Sequence, residues 1–328
     1  MTVLVTGGAG YVGSHVSAEL ASAGYEVVVA DNYSNSSRDV TDAIRRISGG
    51  SVAARELDLT DIKATERVFA DFDVVGVVHC AGYKAVGESA AKPLMYYRNN
   101  IQGAINLLET MRARKIRNLI FSSSATVYGD PAALPLTEDM VSWPCTSPYG
   151  TTKLVVEKII EDEARANSEF SAVSLRYFNP VGAHSSGLIG EAPNGVPNNL
   201  MPYIARVASG ELERLTVFGD DYPTRDGTGV RDYIHVVDLA RGHLAALRYC
   251  MGRRGCEAIN LGTGEGHSVL ELVSAFERVN GVKIPYTVAG RRAGDIAASY
   301  AGVEKAKREL GWEASLSLED MCRDAWNY

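Results

Sequence analysis

The sequence predicts an α/β fold, a doubly wound parallel sheet with a smaller α+β lobe beside it. Three observations predict it. Short β-branched runs alternate with helical stretches through the first half of the chain. A glycine-rich turn joins the first run to the first helix. After about residue 175 the texture changes, and Pro180, Pro193, Pro197, Pro202 and Pro223 punctuate a glycine-rich stretch.

The elements follow in order. Val3 to Thr6 reads as a strand, and Val12 to Ala23 as a helix closed by Gly24. Glu26 to Asp31, Val74 to Cys80 and Asn118 to Ser124 read as further strands. Tyr96 to Arg112 reads as a helix, with Ile101, Ile105 and Leu108 spaced for one face. Tyr149 to Arg165 is a second long helix. Alternation at this spacing implies right-handed crossovers and helices on both faces of a parallel sheet. The expected division is residues 1–178 for the first domain and 179–328 for the second lobe, with segments after Arg231 free to return to the first.

Composition narrows the function. At 328 residues the chain buries enough surface to need no disulfide or structural metal. Its net charge of −7 argues against a polyanion partner, so neither nucleic acid nor a membrane is expected. Cys80, Cys145, Cys250, Cys256 and Cys322 are odd in number and contain no C-x-x-C, which disfavours a disulfide framework or zinc ribbon. His235 and His243 lack a third ligand nearby, so no metal is expected. There is no charged leader with an apolar core and no 18-residue apolar stretch. A cytoplasmic location is the default expectation.

Thr6 to Gly13 (TGGAGYVG) carries the chemistry first. Its glycines permit a tight turn and close backbone approach to a pyrophosphate, and the helix that follows offers unpaired N–H groups and a positive dipole end. The pattern alone is weak. Here a strand precedes it, a helix follows it, and Asp31 ends the next strand. This is the Rossmann-like arrangement for a dinucleotide, and a carboxylate at that position favours NAD over NADP.

Ser147 to Lys153 (SPYGTTK) comes second. Ser147 can cap a helix and Pro148 fits its first turn. Tyr149 and Lys153 then share one helical face at i and i+4. A nearby ammonium is expected to lower the pKa of the phenol, which could then act as base and acid on a sugar hydroxyl. Tyr-x-x-x-Lys is common on helices that do nothing of the kind. The Ser122-Ser123-Ser124 cluster ending the preceding strand strengthens the reading, because ligands gather at the carboxyl ends of strands in open α/β sheets. Ser124 can share the reacting proton.

The glycine turn, Ser122 to Gly129 (SSSATVYG) and Tyr149 to Lys153 resemble the extended short-chain dehydrogenase/reductase superfamily. Lys84 to Ser89, Arg176 to His184, Pro197 to Ile204 and Asp226 to His235 resemble, more narrowly, the UDP-glucose 4-epimerase family, and the likeness runs nearly end to end. The resemblance implies an NAD site lined by Gly7, Gly10, Tyr11, Val12, Gly13, Asp31, Asn32, Asn35, Ser36, Asp58, Leu59, Cys80, Ala81, Gly82, Lys84, Asn99, Ser122, Tyr149, Lys153, Tyr177 and Phe178. It implies Tyr149, Lys153 and Ser124 as catalytic residues. It also implies contacts to a UDP-sugar from Lys84, Ser124, Tyr149, Phe178, Asn179, Asn199, Leu200, Thr216, Phe218, Arg231, Tyr233, Arg292, Asp295 and Ser299. Arg231 and Arg292 suit a diphosphate on chemical grounds as well, since the guanidinium fork matches phosphate oxygens.

Cys80 stands where many relatives have Phe. Ser299 stands where glucose-restricted bacterial relatives carry Tyr, so room for a 2-acetamido group is expected. The implied reaction is transient oxidation at carbon 4 of the hexose by a tightly held NAD, turning of the 4-keto sugar, and reduction on its other face. A nucleotide-sugar 4,6-dehydratase is the nearest rival, but no acidic pair follows Ser124. A UDP-glucuronate enzyme would need a cation for the C6 carboxylate, and none is identified. A non-catalytic NAD-binding sensor is the alternative from another class, although both Tyr149 and Lys153 are present. A homodimer through the two long helices is the family expectation.

Overall fold

The computed structural model describes residues 1–131, 133–292 and 294–328. Seven parallel strands form its central sheet: β1 (Thr2–Thr6), β2 (Glu26–Asp31), β3 (Val52–Glu56), β4 (Val74–His79), β5 (Asn118–Ser124), β6 (Ser171–Tyr177) and β7 (Gly255–Leu261). Their order is β3-β2-β1-β4-β5-β6-β7. The chain therefore winds outward from β1 in one direction and from β4 in the other. Register pairs Thr6 with both Ala30 and His79, and Tyr177 with both Ser124 and Leu261. The carboxyl ends thus share one edge, with the switch point between β1 and β4, where a ligand crevice belongs.

Both faces of the sheet are covered, which explains why β1, β2 and β4 are apolar along most of their length. Helices α1 (Tyr11–Ser22), α2 (Val40–Ser48), α3 (Ile62–Asp71), α4 (Gly103–Ala113), α5 (Pro148–Ala166) and α6 (Val236–Met251) supply the layers. Val3, Val5, Val27 and Val29 pack with Val16 and Leu20 of α1 and Leu239 and Leu247 of α6. The alternate residues Leu4, Val28 and Val77 pack with Val68 of α3, Leu107 of α4 and Ile160 of α5. A strand's period of two sends neighbouring valines into opposite cores.

One detail differs from the sequence expectation. The helix expected from Tyr96 is a short helix (Pro93–Tyr96), a π-helical stretch (Tyr97–Gln102) and then α4. In that widened turn Asn100 is buried, and it donates to the Tyr83 carbonyl and to Thr152 Oγ1, each at 3.0 Å. A single amide therefore ties α5 to the loop after β4, and its hydrogen bonds outweigh regular helical geometry. Strand β7 and helix α6 belong to the main sheet and its covering layer, so the chain after residue 178 divides between the two bodies.

The second lobe is built of small pieces. Asn179–Val181 pairs with Tyr233–His235, and Leu215–Phe218 pairs with Tyr286–Ala289. Val230–Arg231 lies between His267–Ser268 and Ala298–Ser299. Val181, Met201, Ile204, Val217, Leu272 and Phe276 make its separate core.

Candidate active site

The glycine turn sits at the switch point. Gly7 has φ +67°, and a Cβ there would stand 2.6 Å from the Ala81 nitrogen. A Cβ on Gly13 would stand 2.1 Å from the Gly7 oxygen. Only glycine allows this packing, in which the turn closes on the Cys80–Gly82 loop. Helix α1 begins at Tyr11 with Gly10 as its N-cap and no side-chain cap. Its first N–H groups remain available to an anion, as a dinucleotide pyrophosphate requires.

Asp31, buried at the end of β2, accepts from the Ala9 amide at 3.0 Å, the Tyr33 amide at 2.9 Å and Ser36 Oγ at 3.0 Å. It thus braces the turn it faces. A carboxylate has about four acceptor positions, so capacity remains for a ribose hydroxyl. Asn32 and Asn35 lie exposed on the loop beyond it, and Asp58 is exposed beside buried Leu59 at the end of the neighbouring strand. Asn99, half-buried in the π-helical stretch, donates to Asn100 Oδ1 at 2.9 Å. These residues fit an adenine dinucleotide laid across the carboxyl edge: a tight glycine cradle, an uncapped helix start and a carboxylate at the far strand.

The tyrosine–lysine pair lies on the other side of the switch point. Ser147 caps α5 by accepting from the Gly150 amide at 3.1 Å, which fixes where the helix starts and hence where Tyr149 and Lys153 point. Both are buried. Lys153 Nζ lies 5.9 Å from the centre of the Tyr149 ring and donates to the Ser122 carbonyl at 2.7 Å. Ser124 Oγ accepts from the Thr126 amide at 3.2 Å and from Thr126 Oγ1 at 3.0 Å.

The expected lowering of the phenol's pKa is not a property of the polypeptide by itself. Burial pushes Tyr149 up to about 12, and a hydrogen bond with Ser124 pulls only partly the other way. Burial likewise draws Lys153 down to about 8, against the pull of Cys80 and Glu157. Desolvation disfavours both charged forms and is the largest influence on each. A basic phenolate therefore needs a further positive charge in the cleft.

Ser122 Oγ contacts Cys80 Sγ at 3.1 Å and His243 Nε2 at 3.2 Å, and Tyr177 lies against His243 with ring centres 5.8 Å apart. Burial raises the Cys80 thiol to about 11, so it stays protonated. Phe178 is buried and stacks on Tyr128.

The residues expected at the sugar nucleotide divide into groups. Arg292 lies over the Phe218 ring at 4.6 Å and donates to Asp295 at 3.1 Å, which brings those three together on the open side of the second lobe. Thr216 is half-buried two residues before Phe218. Arg231 and Ser299 are register partners on adjacent strands, and Tyr233 pairs with Asn179. Asn199 N-caps the helix Leu200–Ala208, and its amide donates to Glu191 at 2.6 Å. Glu191 was not singled out in the sequence; it follows a glycine in an irregular loop, where no periodicity marks a partly buried acid. The Ser123–Glu157–Arg176 network behind β5 was also missed. Arg176 and Glu157 form a buried ion pair at 2.6 Å, and Ser123 Oγ donates to the same carboxylate. Among the described residues no group of three or more His, Cys, Asp or Glu is placed to hold a metal, and no helix is long and apolar enough to cross a membrane.

Comparison with known proteins gives one picture. The profile of the NAD dependent epimerase/dehydratase family matches residues 3–262. The UDP-glucose 4-epimerase of Bacillus subtilis is 56% identical over 328 residues, covering 100% of this chain and 96% of its own. A crystal structure of UDP-glucose 4-epimerase from Bifidobacterium longum, in complex with NAD+ and UDP, superposes with a TM-score of 0.96 at 51% identity, covering 100% of this chain and 97% of its own. A second, from Stenotrophomonas maltophila with bound NAD and formylated UDP-arabinopyranose, has a TM-score of 0.97 at 50% identity and covers 99% and 97%.

Proposed function

The chain belongs to the NAD dependent epimerase/dehydratase family, and from that premise we infer that it interconverts UDP-glucose and UDP-galactose by inverting carbon 4, with NAD as its bound cofactor. The observation that carries this reading is the convergence of Tyr149, Ser124 and Lys153 at the carboxyl edge of the sheet that also carries the glycine cradle. NAD, when bound, supplies the reversible oxidation at carbon 4 and a positive ring that favours the phenolate.

The chain's own residues do the rest. Tyr149 takes the proton of the 4-hydroxyl and later returns it, with Ser124 sharing that proton. Lys153 stabilises the phenolate and, anchored on the Ser122 carbonyl, would hold the cofactor ribose. Arg231 and Arg292 grip the diphosphate, Phe218, Tyr233 and Asp295 the uridine end, and Asn179 and Asn199 touch the hexose lightly. A firm hold on UDP and a loose one on the sugar lets the 4-keto hexose turn about its link to the diphosphate. Ala125 and Thr126 follow Ser124, and Thr126 Oγ1 is committed to Ser124 at 3.0 Å; no acidic pair stands there, which favours epimerisation over dehydration.

A coupled assay for conversion of UDP-galactose to UDP-glucose by purified protein tests the reading, together with release of NAD on denaturation. No turnover, or activity without released NAD, refutes it. Ser299, small and buried beside Arg231, supports acceptance of the N-acetylated UDP-hexosamines as well. The groove between α4 and α5, walled by Ile105, Leu108, Ile159 and Ala166, supports a homodimer through a four-helix bundle. A cytoplasmic location completes the reading and is tested by cell fractionation.

A further inference from the structure

We propose that Glu191 is a positioning residue for this reaction, one that fastens the substrate lobe to the cofactor edge. Two donors from opposite bodies converge on its Oε1 atom: Lys84 Nζ, on the loop after β4, at 2.8 Å, and Asn199 Nδ2, at the start of Leu200–Ala208, at 2.6 Å. The Glu191 side chain is only 10% exposed, so the carboxylate is held inside the cleft and its charge is weakly screened. Lys84 Nζ also lies 5.9 Å from the ring centre of Tyr11, the first residue of α1. Tyr11 in turn donates to the Gly182 carbonyl at 2.7 Å. The cluster therefore links a residue of the phosphate-binding turn, a residue expected at the cofactor and a residue expected at the sugar through one acid.

The loop is built to present that acid. A Cβ on Gly190 would stand 2.4 Å from the Tyr328 ring, so a larger residue before Glu191 would push that ring aside where the loop packs on it. With Glu191 in place, Lys84 and Asn199 keep a fixed separation across the cleft. Without it, the ammonium and the amide lose their common acceptor, and the second lobe loses a direct tie to the first. Charge-assisted hydrogen bonds of this kind carry geometric specificity as well as energy. The expected consequence is weaker capture of the nucleotide sugar, with the chemical step less affected.

This inference rests on the function proposed above, and the test separates the two. Wild type, Glu191→Ala, Glu191→Gln and the pair of each with Lys84→Met are assayed for UDP-galactose turnover per bound NAD, for UDP affinity by calorimetry and for thermal midpoint. Glu191→Ala should raise KM roughly tenfold, a moderate loss because Lys84 is half exposed, with a smaller change in kcat. Glu191→Gln, which keeps an acceptor oxygen, should fall between Ala and wild type. In the Lys84→Met background the effect of Glu191→Ala should shrink, since the shared contact is already gone. KM and UDP affinity within about twofold of wild type in Glu191→Ala overturn the proposal, as does full additivity with Lys84→Met. Wild-type protein that binds UDP but turns over no UDP-galactose refutes the proposed function instead, and the calorimetric series then still decides the role of Glu191.

Discussion

Replacing Lys153 by Met tests the electrostatics on which the chemistry depends. Burial holds the Tyr149 phenol up at about 12. At pH 7 a group with that pKa is ionised to only about one part in 100,000. Two positive charges can close this gap, the cofactor's ring and the Lys153 ammonium, 5.9 Å from the tyrosine ring centre. At an effective dielectric of about 20, unit charges about 6 Å apart interact by roughly 3 kcal/mol. That corresponds to about a hundredfold change in phenolate population. Lys153→Met should therefore lower kcat about a hundredfold at pH 7, with UDP affinity retained. The sign with pH follows from the lysine itself. Its pKa is drawn down to about 8, so it is charged below that pH and neutral above it. The deficit of the variant should be greatest below pH 8 and should narrow as pH rises past it. The assay is turnover of UDP-galactose across this range, counted per bound NAD. A kcat within about threefold of wild type at pH 7, or a deficit that grows above pH 8, refutes the reasoning.

Tyr149→Phe should cut turnover by about three orders of magnitude or more while leaving UDP binding intact, since the ring stays and only the proton carrier goes; calorimetry beside the activity assay decides it. Gly13→Ala should abolish retention of NAD through gel filtration, because its Cβ would meet the Gly7 oxygen at 2.1 Å. Ser299→Tyr should remove turnover of UDP-N-acetylgalactosamine selectively, and equal loss on UDP-galactose would count against a role for Ser299 in specificity. Acid should weaken the fold through buried histidines. Burial takes His15 and His79 down to about 3, below their unfolded value, so the stability they contribute is complete above the unfolded pKa and falls as pH drops toward 3. Each should cost about 2 kcal/mol between pH 6.5 and 5. Urea midpoints at the two pH values, with His15→Asn flattening the slope, check this.

Four strands of the sheet, β1, β2, β4 and β5, were legible because their signals are local. Val3–Val5, Val27–Val29 and Val74–Val78 are short apolar runs between polar turns, and the glycine turn can hardly be anything but the link from β1 to α1. Tyr149 and Lys153 were legible because a capped helix fixes their spacing. Strands β3, β6 and β7 were not read, and although segments after Arg231 were left free to rejoin the first body, no local pattern could pair β7 with β6, some eighty residues earlier in the chain. Nor was the π-helical stretch at Tyr97–Gln102, which exists to bring Asn100 to Tyr83 and Thr152, partners that no local pattern announces.

The state of the phenol is the deeper case. Sequence places a cation one helical turn from Tyr149, and pairwise reasoning then makes the tyrosine basic. The fold adds what the pair omits, which is that both groups are buried and that Lys153 spends one of its hydrogen bonds on the Ser122 carbonyl. Desolvation drives the two pKa values apart, Tyr149 up to about 12 and Lys153 down to about 8, and leaves the phenol neutral at neutral pH. This has a functional sense. A phenol that ionises readily only when a positive ring lies beside it stays inert in the empty protein and in the reduced state, where the ring is neutral. Proton removal from the sugar is thereby tied to the presence of an oxidant able to complete the step. If so, phenolate absorbance should appear in the NAD+ form and vanish when the bound cofactor is reduced chemically, while Lys153→Met should show a weakened signal in the NAD+ form. A tyrosine that ionises equally in the oxidised and reduced forms would mean that the polypeptide alone sets its basicity, and this account of the coupling would fail.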